Sequence, residues 1–234
     1  QPDLPRVLSV DQSLTGDATS IAFSHYERDP DKIDQSTGEM LPCVVTDLTI
    51  VIFPKGGIIN LDAIKFFIMD LVSIGHLNIR HVSFDGFQSE PTRQFLKRQG
   101  ITVDYISVDK NNNAYFTYID LVNKHRWHCG KNIFVKNNMK SLHMTKRKDT
   151  GTSKVDHMNG PLVHEGNSEW DISTIGINSK DSCDAIAANC ELLALYSVEF
   201  PATVIWNATS VKENSYDEDK AKYAEAMRAI GLGF

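Results

Sequence analysis

Residues 6–26 read RVLSVDQSLTGDATSIAFSHY. The first six, Arg6 to Asp11, are mostly apolar and close on a carboxylate, which reads as a short strand ending at Asp11. Thr15-Gly16-Asp17 supplies turn chemistry, because Gly tolerates a positive φ and Asp hydrogen-bonds its own backbone. Residues 20–26 then resume as a second strand. Residues 28–42 hold Pro30, Gly38 and Pro42 among polar side chains, so a long hairpin loop is expected there. Residues 43–53 (CVVTDLTIVIF) are rich in β-branched side chains and read as a third strand. The three predict an antiparallel meander.

Beyond the meander the pattern alternates. Asn60 or Asp62 can cap a helix that puts Ile64, Phe67, Ile68, Leu71 and Val72 on one face. Residues 79–85 (IRHVSFD) read as a strand that again ends on an acid, Asp85. A helix over 90–99 stops at Gly100, and 101–108 reads as another strand. Further expectations are a helix over 114–125, a short strand over 132–135 and a basic helix over 138–146. Residues 158–179, rich in Gly, Asn and Ser, show no period. Residues 181–197 read as a helix whose apolar stripe is Cys183, Ile186, Ala187, Cys190 and Ala194, and a charged helical stretch falls near 217–230. This order predicts an α/β protein with a ribonuclease H-like mixed sheet, an antiparallel meander followed by parallel strands, flanked by helices. The expected division is a domain over residues 1–200 and a C-terminal extension over 201–234.

Composition bounds the class. The chain has 234 residues, 41% hydrophobic and 23% charged, which excludes a disordered or collagenous protein. Asp47 and Asp70 interrupt the long apolar runs, so no transmembrane helix and no membrane partner are expected. Gln1-Pro2-Asp3 opens no signal peptide, and the missing initiator Met suggests a fragment or processed chain. Cysteines 43, 129, 183 and 190 form no C-x-x-C pair, which disfavours a thiolate zinc site and favours a reducing cytoplasm. Net charge is −6, yet residues 124–148 carry eight Lys/Arg, three His and no acid. Of the 24 bases, 16 therefore face 30 acids elsewhere. A basic segment on an acidic body suits an anionic partner, and Lys140, Lys146, Arg147 and Lys148 are its candidate anion contacts.

The acids are the candidates for chemistry. Asp11 and Asp85 end strands, while Asp181 and Asp184 begin a helix. Strand ends and helix starts meet at one edge of an open α/β sheet. Three residues at 100° each bring Asp184 within about 60° of Asp181, so the pair leaves one side of its helix. Such like charges destabilise a bare helix unless the dipole or a cation relieves them. A hard divalent cation takes carboxylate oxygens, water and phosphate, and two such ions can clamp the oxygens of phosphoryl transfer.

Residues 10–20 (VDQSLTGDATS) resemble the opening segment of the nuclease domain of phage terminase large subunits, in which an acid on the first strand precedes a Gly-Asp turn. Phe84-Asp85-Gly86 is similar to that family's central-strand acid. Val155-Asp156-His157, followed by residues 179–187 (SKDSCDAIA), resembles its closing signature, an acid pair three apart leading into Ala. The resemblance spans residues 6–197. It implies a metal-dependent endonuclease that cuts concatemeric double-stranded DNA during capsid packaging, in the host cytoplasm. By position, Asp11, Asp85 and Asp184 would hold two Mg2+ or Mn2+ ions, with Asp181 a further or outer ligand. Residues 160–178 stand where the family has a mobile hairpin beside its site. Implied partners are the portal protein, the small terminase subunit and a packaging ATPase domain. No G-x-x-x-x-G-K-[ST] occurs, and Gly130-Lys131 is followed by Asn, so the chain resembles the nuclease domain alone.

Other signals rank lower. His125 and His128 invite a zinc reading but lack a third ligand at an obvious spacing. Asp17 and His157 are possible outer-shell residues, with turn-shaping and structural hydrogen bonding as the plainer roles. Trp127, Trp170 and Trp206 read as packing residues, and no G-x-S-x-G is present. Two alternatives stay open: a Holliday-junction resolvase-like nuclease, which also uses strand acids and a helix pair, and a non-catalytic docking module of a packaging motor.

Overall fold

The computed structural model describes residues 3–13, 18–53, 59–86, 89–110, 112–146, 153–157, 179–197 and 203–204. Arg6–Asp11 forms β1, and its backbone pairs on both sides. Thr19–Ile33 (β2) runs antiparallel to it and Met40–Ile52 (β3) antiparallel to β2, the expected meander. Leu61–Ser73 (α1) leads to Ile79–Phe84 (β4), which lies parallel to β1 on its other edge. Glu90–Arg98 (α2) leads to Thr102–Tyr105 (β5), parallel to β4. Asn113–Asn123 (α3) returns the chain to Trp127–Cys129 (β6), which pairs parallel with β3. The sheet order is β5-β4-β1-β2-β3-β6, a mixed sheet of the ribonuclease H-like kind. Next come Ile133–Ser141 (α4), a separate antiparallel hairpin of Leu142–Lys146 (β7) and Ser153–His157 (β8), and Asp181–Leu195 (α5). Thr203–Val204 (β9) pairs with β2 at Glu27 and Arg28.

The period of two in β1 explains why it lies between two cores. Val7 faces one core, with Ala22, Val44, Tyr115, Tyr118 and Ile186. Leu8 and Val10 face the other, with Ile21, Phe23, Ile64, Ile68 and Phe84. Helices α1 and α2 thus cover one face, and α3 and α5 the other. Each fully buried large apolar side chain, such as Leu8, Ile68 or Ile186, contributes about 1.5–3 kcal/mol. Helix α1 starts as expected: Asn60 Oδ1 accepts from the amides of Asp62 and Ala63 at 3.0 and 3.2 Å.

Five expectations are corrected. The hairpin loop over 28–42 shrinks to residues between β2 and β3, because Asp34 Oδ1 accepts from the amides of Ser36 and Thr37 and from the Ser36 hydroxyl. Gly38, at φ +72°, completes that tight turn, and strand pairing extends to Ile33 opposite Met40. The strand over 101–108 closes early, at Tyr105. The strand over 132–135 is instead the start of α4, since Asn132 Oδ1 caps Phe134 and Val135 at 3.0 and 3.2 Å. The basic helix over 138–146 ends at Ser141, and Leu142–Lys146 turns extended to pair with β8. Finally, α5 is buried nearly all round from Asp181 to Cys190, while Ala194 is exposed. A helix packed against β1, β2 and β3 on one side and α3 and α4 on another has no solvent stripe to keep polar.

Candidate active site

Parallel pairing puts two acids at one end of the sheet. Val10 is in register with Phe84, so Asp11 and Asp85 leave neighbouring strands at the same end, and the Asp85 amide donates to Val10 O at 3.2 Å. The next parallel strand brings a third acid there. Ile106 N donates to Phe84 O at 3.3 Å, and the chain continues through Ser107 to Asp109. Ligands commonly bind at the carboxyl ends of strands in such sheets. The first turn of α5 closes over this end, and Asp11, Asp85 and Asp184 line one shallow cleft.

Helix α5 has no cap of its own. Its N-cap residue, Lys180, makes no side-chain cap bond. Asn138 of α4 does the capping instead, its Oδ1 accepting from Ser182 N at 3.1 Å and Ser182 Oγ at 2.6 Å. Ser141 Oγ donates to Ser179 O at 3.0 Å, fixing the same turn from the same helix. Ser179 Oγ in turn donates to Asp181 Oδ2 at 2.9 Å, so Asp181 is held beside the cleft wall.

Asp184 accepts from two buried donors, the Tyr115 hydroxyl and Lys180 Nζ, the latter at 2.5 Å. Lys180 Nζ also reaches Asp109 Oδ1 at 3.0 Å. Burial pushes Asp184 from 3.8 up to about 6, with the Lys180 and Tyr115 bonds opposing it. Burial and then the Asp184 and Asp181 carboxyls hold Asp11 well above the ordinary carboxylate range. Burial also raises Asp85, against a hydrogen bond from Ser107. For Lys180, burial works downward, but Asp184 and Asp109 outweigh it and keep the ammonium charged. Four carboxyls, Asp184, Asp109, Asp11 and Asp85, thus surround one ammonium, with Asp181 close to Asp11.

A hard divalent cation fits this donor set, all carboxylate oxygens in a cleft where like charges repel. Asp11, Asp85 and Asp184 would hold the ions, which would supply Lewis-acid polarisation of a phosphate and activation of water. Among the described residues, however, the three ligand-type side chains found within 4.8 Å of one another are Asp29, Cys43 and His128. The cleft acids converge without closing on a common point, with Lys180 taking one oxygen of Asp184.

Asp11, Asp85 and Asp184 line the cleft with Asp181 close to Asp11, and the candidates among the described residues outside this set do not line it. His157 lies on β8 opposite Leu142, beside Asp156, and does not line the cleft. Lys140 and Lys146 are exposed on α4 and β7. Asp17, Arg147, Lys148, Trp170, Trp206 and the stretches 160–178 and 217–230 lie outside the described residues. Sequence reading missed Lys180, Asp109 and Tyr115. Asp109 carries the same signal that marked Asp85, an acid just past a parallel strand. Lys180 and Tyr115 carry none, since their partners are set by packing.

No protein-family model matches the chain, and no curated protein sequence matches it. Solved structures do match. The chain is similar to the large terminase nuclease of thermophilic phage G20c, with TM-score 0.51 and 11% identity over 82% of this chain and 83% of that one. The same nuclease with bound magnesium aligns at TM-score 0.51 and 12% identity over 82% of each chain. At such identity the likeness is one of fold: this chain has the ribonuclease H-like fold of phage large terminase nuclease domains.

Proposed function

We propose that this chain is the metal-dependent endonuclease domain of a viral DNA-packaging terminase large subunit, cutting concatemeric double-stranded DNA by phosphodiester hydrolysis. The observation that carries the reading is the convergence of Asp11, Asp85 and Asp184 in one cleft at the carboxyl end of the parallel strands, on a fold shared with phage terminase nucleases. Two Mg2+ or Mn2+ ions held by these acids, with Asp181 as a further or outer ligand, would neutralise charge developing on the phosphate. Lys180 holds Asp184 and Asp109 in place and adds one fixed positive charge next to where a phosphate would lie. Lys140 and Lys146, with Arg147 and Lys148, would track the DNA backbone. The setting is the cytoplasm of the infected host, with a packaging ATPase domain, the portal protein and the small terminase subunit as partners.

Digestion of supercoiled and linear plasmid with Mg2+, Mn2+ or excess chelator tests this. The expected result is cleavage at many sequences with either metal and none with chelator. Binding of DNA without cleavage under every metal condition would overturn the enzyme and favour a docking module. Cleavage confined to four-way junctions would favour a resolvase.

A further inference from the structure

We propose that Asp29, Cys43 and His128 form a second metal site, for zinc or a similar borderline-soft divalent cation, on the sheet face opposite α5. Strand pairing assembles it from three strands. Cys43 is in register with Glu27, which places Asp29 diagonally across from it on β2. Val45 is in register with His128, so His128 is diagonal to Cys43 on the other side. Tyr26, Val44 and Trp127 pack into the α3/α5 core, and alternation therefore sends Asp29, Cys43 and His128 to the opposite face. One ligand atom from each residue lies within 4.8 Å of the other two. A tetrahedral zinc ion sets its nitrogen, oxygen and sulfur ligands about 3.3–3.8 Å apart, so side-chain rotations of about 1 Å would close the site.

A buried free cysteine alone is ordinary packing. This one is flanked by an imidazole and a carboxylate from two different strands. Thiolate and imidazole ligands select zinc over magnesium, which distinguishes this site from the all-carboxylate cleft. Cys43 is fully buried and Asp29 partly so, whereas His128 is exposed on β6, leaving a fourth position to water. Thiolate and carboxylate together carry two negative charges, and the nearby Arg126 and Lys32 oppose the thiol's burial without supplying a ligand. The bound ion would clamp the three-residue β6, the strand that leads directly into α4. Because no cleft acid takes part, the site stands or falls independently of nuclease activity.

The test is a cobalt titration of the metal-stripped chain, read by thiolate-to-cobalt charge-transfer absorption. Carboxylates of the cleft give no such band. The expected band saturates at one equivalent, is displaced by zinc, and persists in Asp11→Asn and in Cys129→Ser. It should vanish in Cys43→Ser and weaken at least tenfold in affinity in His128→Ala and Asp29→Asn. His128 is exposed, so its variant tests the site without disturbing the core. Absence of the band, its survival in Cys43→Ser, its loss in Cys129→Ser, or indifference to His128→Ala would each overturn the proposal.

Discussion

Lys180 bridges Asp184 and Asp109, and so sets the charge balance of the cleft residue by residue. Removing a ligand carboxylate while keeping its shape separates metal holding from folding. Asp11→Asn and Asp85→Asn are therefore expected to lower cleavage by on the order of 10³-fold or more, while DNA binding and the circular dichroism spectrum stay near wild type. Asp184→Asn should be more damaging than Asp181→Asn. Asp184 lines the cleft with Asp11 and Asp85, whereas Asp181 is drawn to Ser179 Oγ at 2.9 Å. Cleavage rates of the four purified variants in Mg2+ and Mn2+ check both statements. Near-normal cutting by Asp11→Asn would refute the assignment of the acids.

At the scale of elements, two junctions hold the parts that position the cleft. The first is the side-chain cap that α4 provides for α5. Asn138→Ala would leave the buried Ser182 amide and hydroxyl without that acceptor, a cost of about 1–3 kcal/mol. Urea unfolding should show that loss, and Asn138→Asp should recover part of it, since a carboxylate can accept at a helix N-terminus. The second junction joins β1, β2 and β3, where His25 is held by Asp47 at 2.9 Å and Glu27 at 2.9 Å, and Asp47 also receives Arg6 at 3.1 Å. Burial alone would lower the His25 value, yet hydrogen bonds to Asp47 and Glu27 raise it from 6.5 to about 9. A raised histidine stabilises the fold fully below pH 6.5 and loses that contribution as pH climbs through about 9. Stability should thus fall across that window by up to about 3 kcal/mol, and His25→Gln should flatten it. Denaturant midpoints measured between pH 6 and 9.5 decide the matter; equal slopes for both proteins would refute it.

For the whole molecule, the informative quantity is where charge sits. The net charge of −6 hides a segment with eight bases and no acid. In the fold this segment spans β6, α4 and β7, with Lys140 and Lys146 exposed. If Lys140, Lys146, Arg147 and Lys148 each meet a phosphate, neutralising all four should weaken DNA binding similarly at every sequence. The slope of log affinity against log salt should flatten by roughly 3 to 4 units, about 0.9 per contact. Affinity for Mg2+ or Mn2+ should hardly change, because exposed charges beyond about 8–10 Å are largely screened. An unchanged slope would remove the segment from the DNA footprint.

Sequence by itself determined the elements whose signals are local. The alternation of Arg6–Asp11, the Asn60 cap and the acids at the ends of β1 and β4 could be read because each depends on residues within a turn or a strand. From these, with the acid pair at the start of residues 181–197, came the mixed sheet and the candidate set Asp11, Asp85, Asp181 and Asp184. Tertiary structure decided whatever depends on a distant partner. Helix α5 reads as amphipathic but is buried nearly all round, because the sheet and α3 and α4 enclose it. Residues 142–146 could not be told from a continuing helix until β8 paired with them. Lys180 acquires its place from Asp109, 71 positions away. Asp29, Cys43 and His128, isolated along the chain, become neighbours through strand register alone. Propensity and capping act over a few residues, whereas pairing and burial are set by contacts that close long loops, and the order of residues carries no direct record of those.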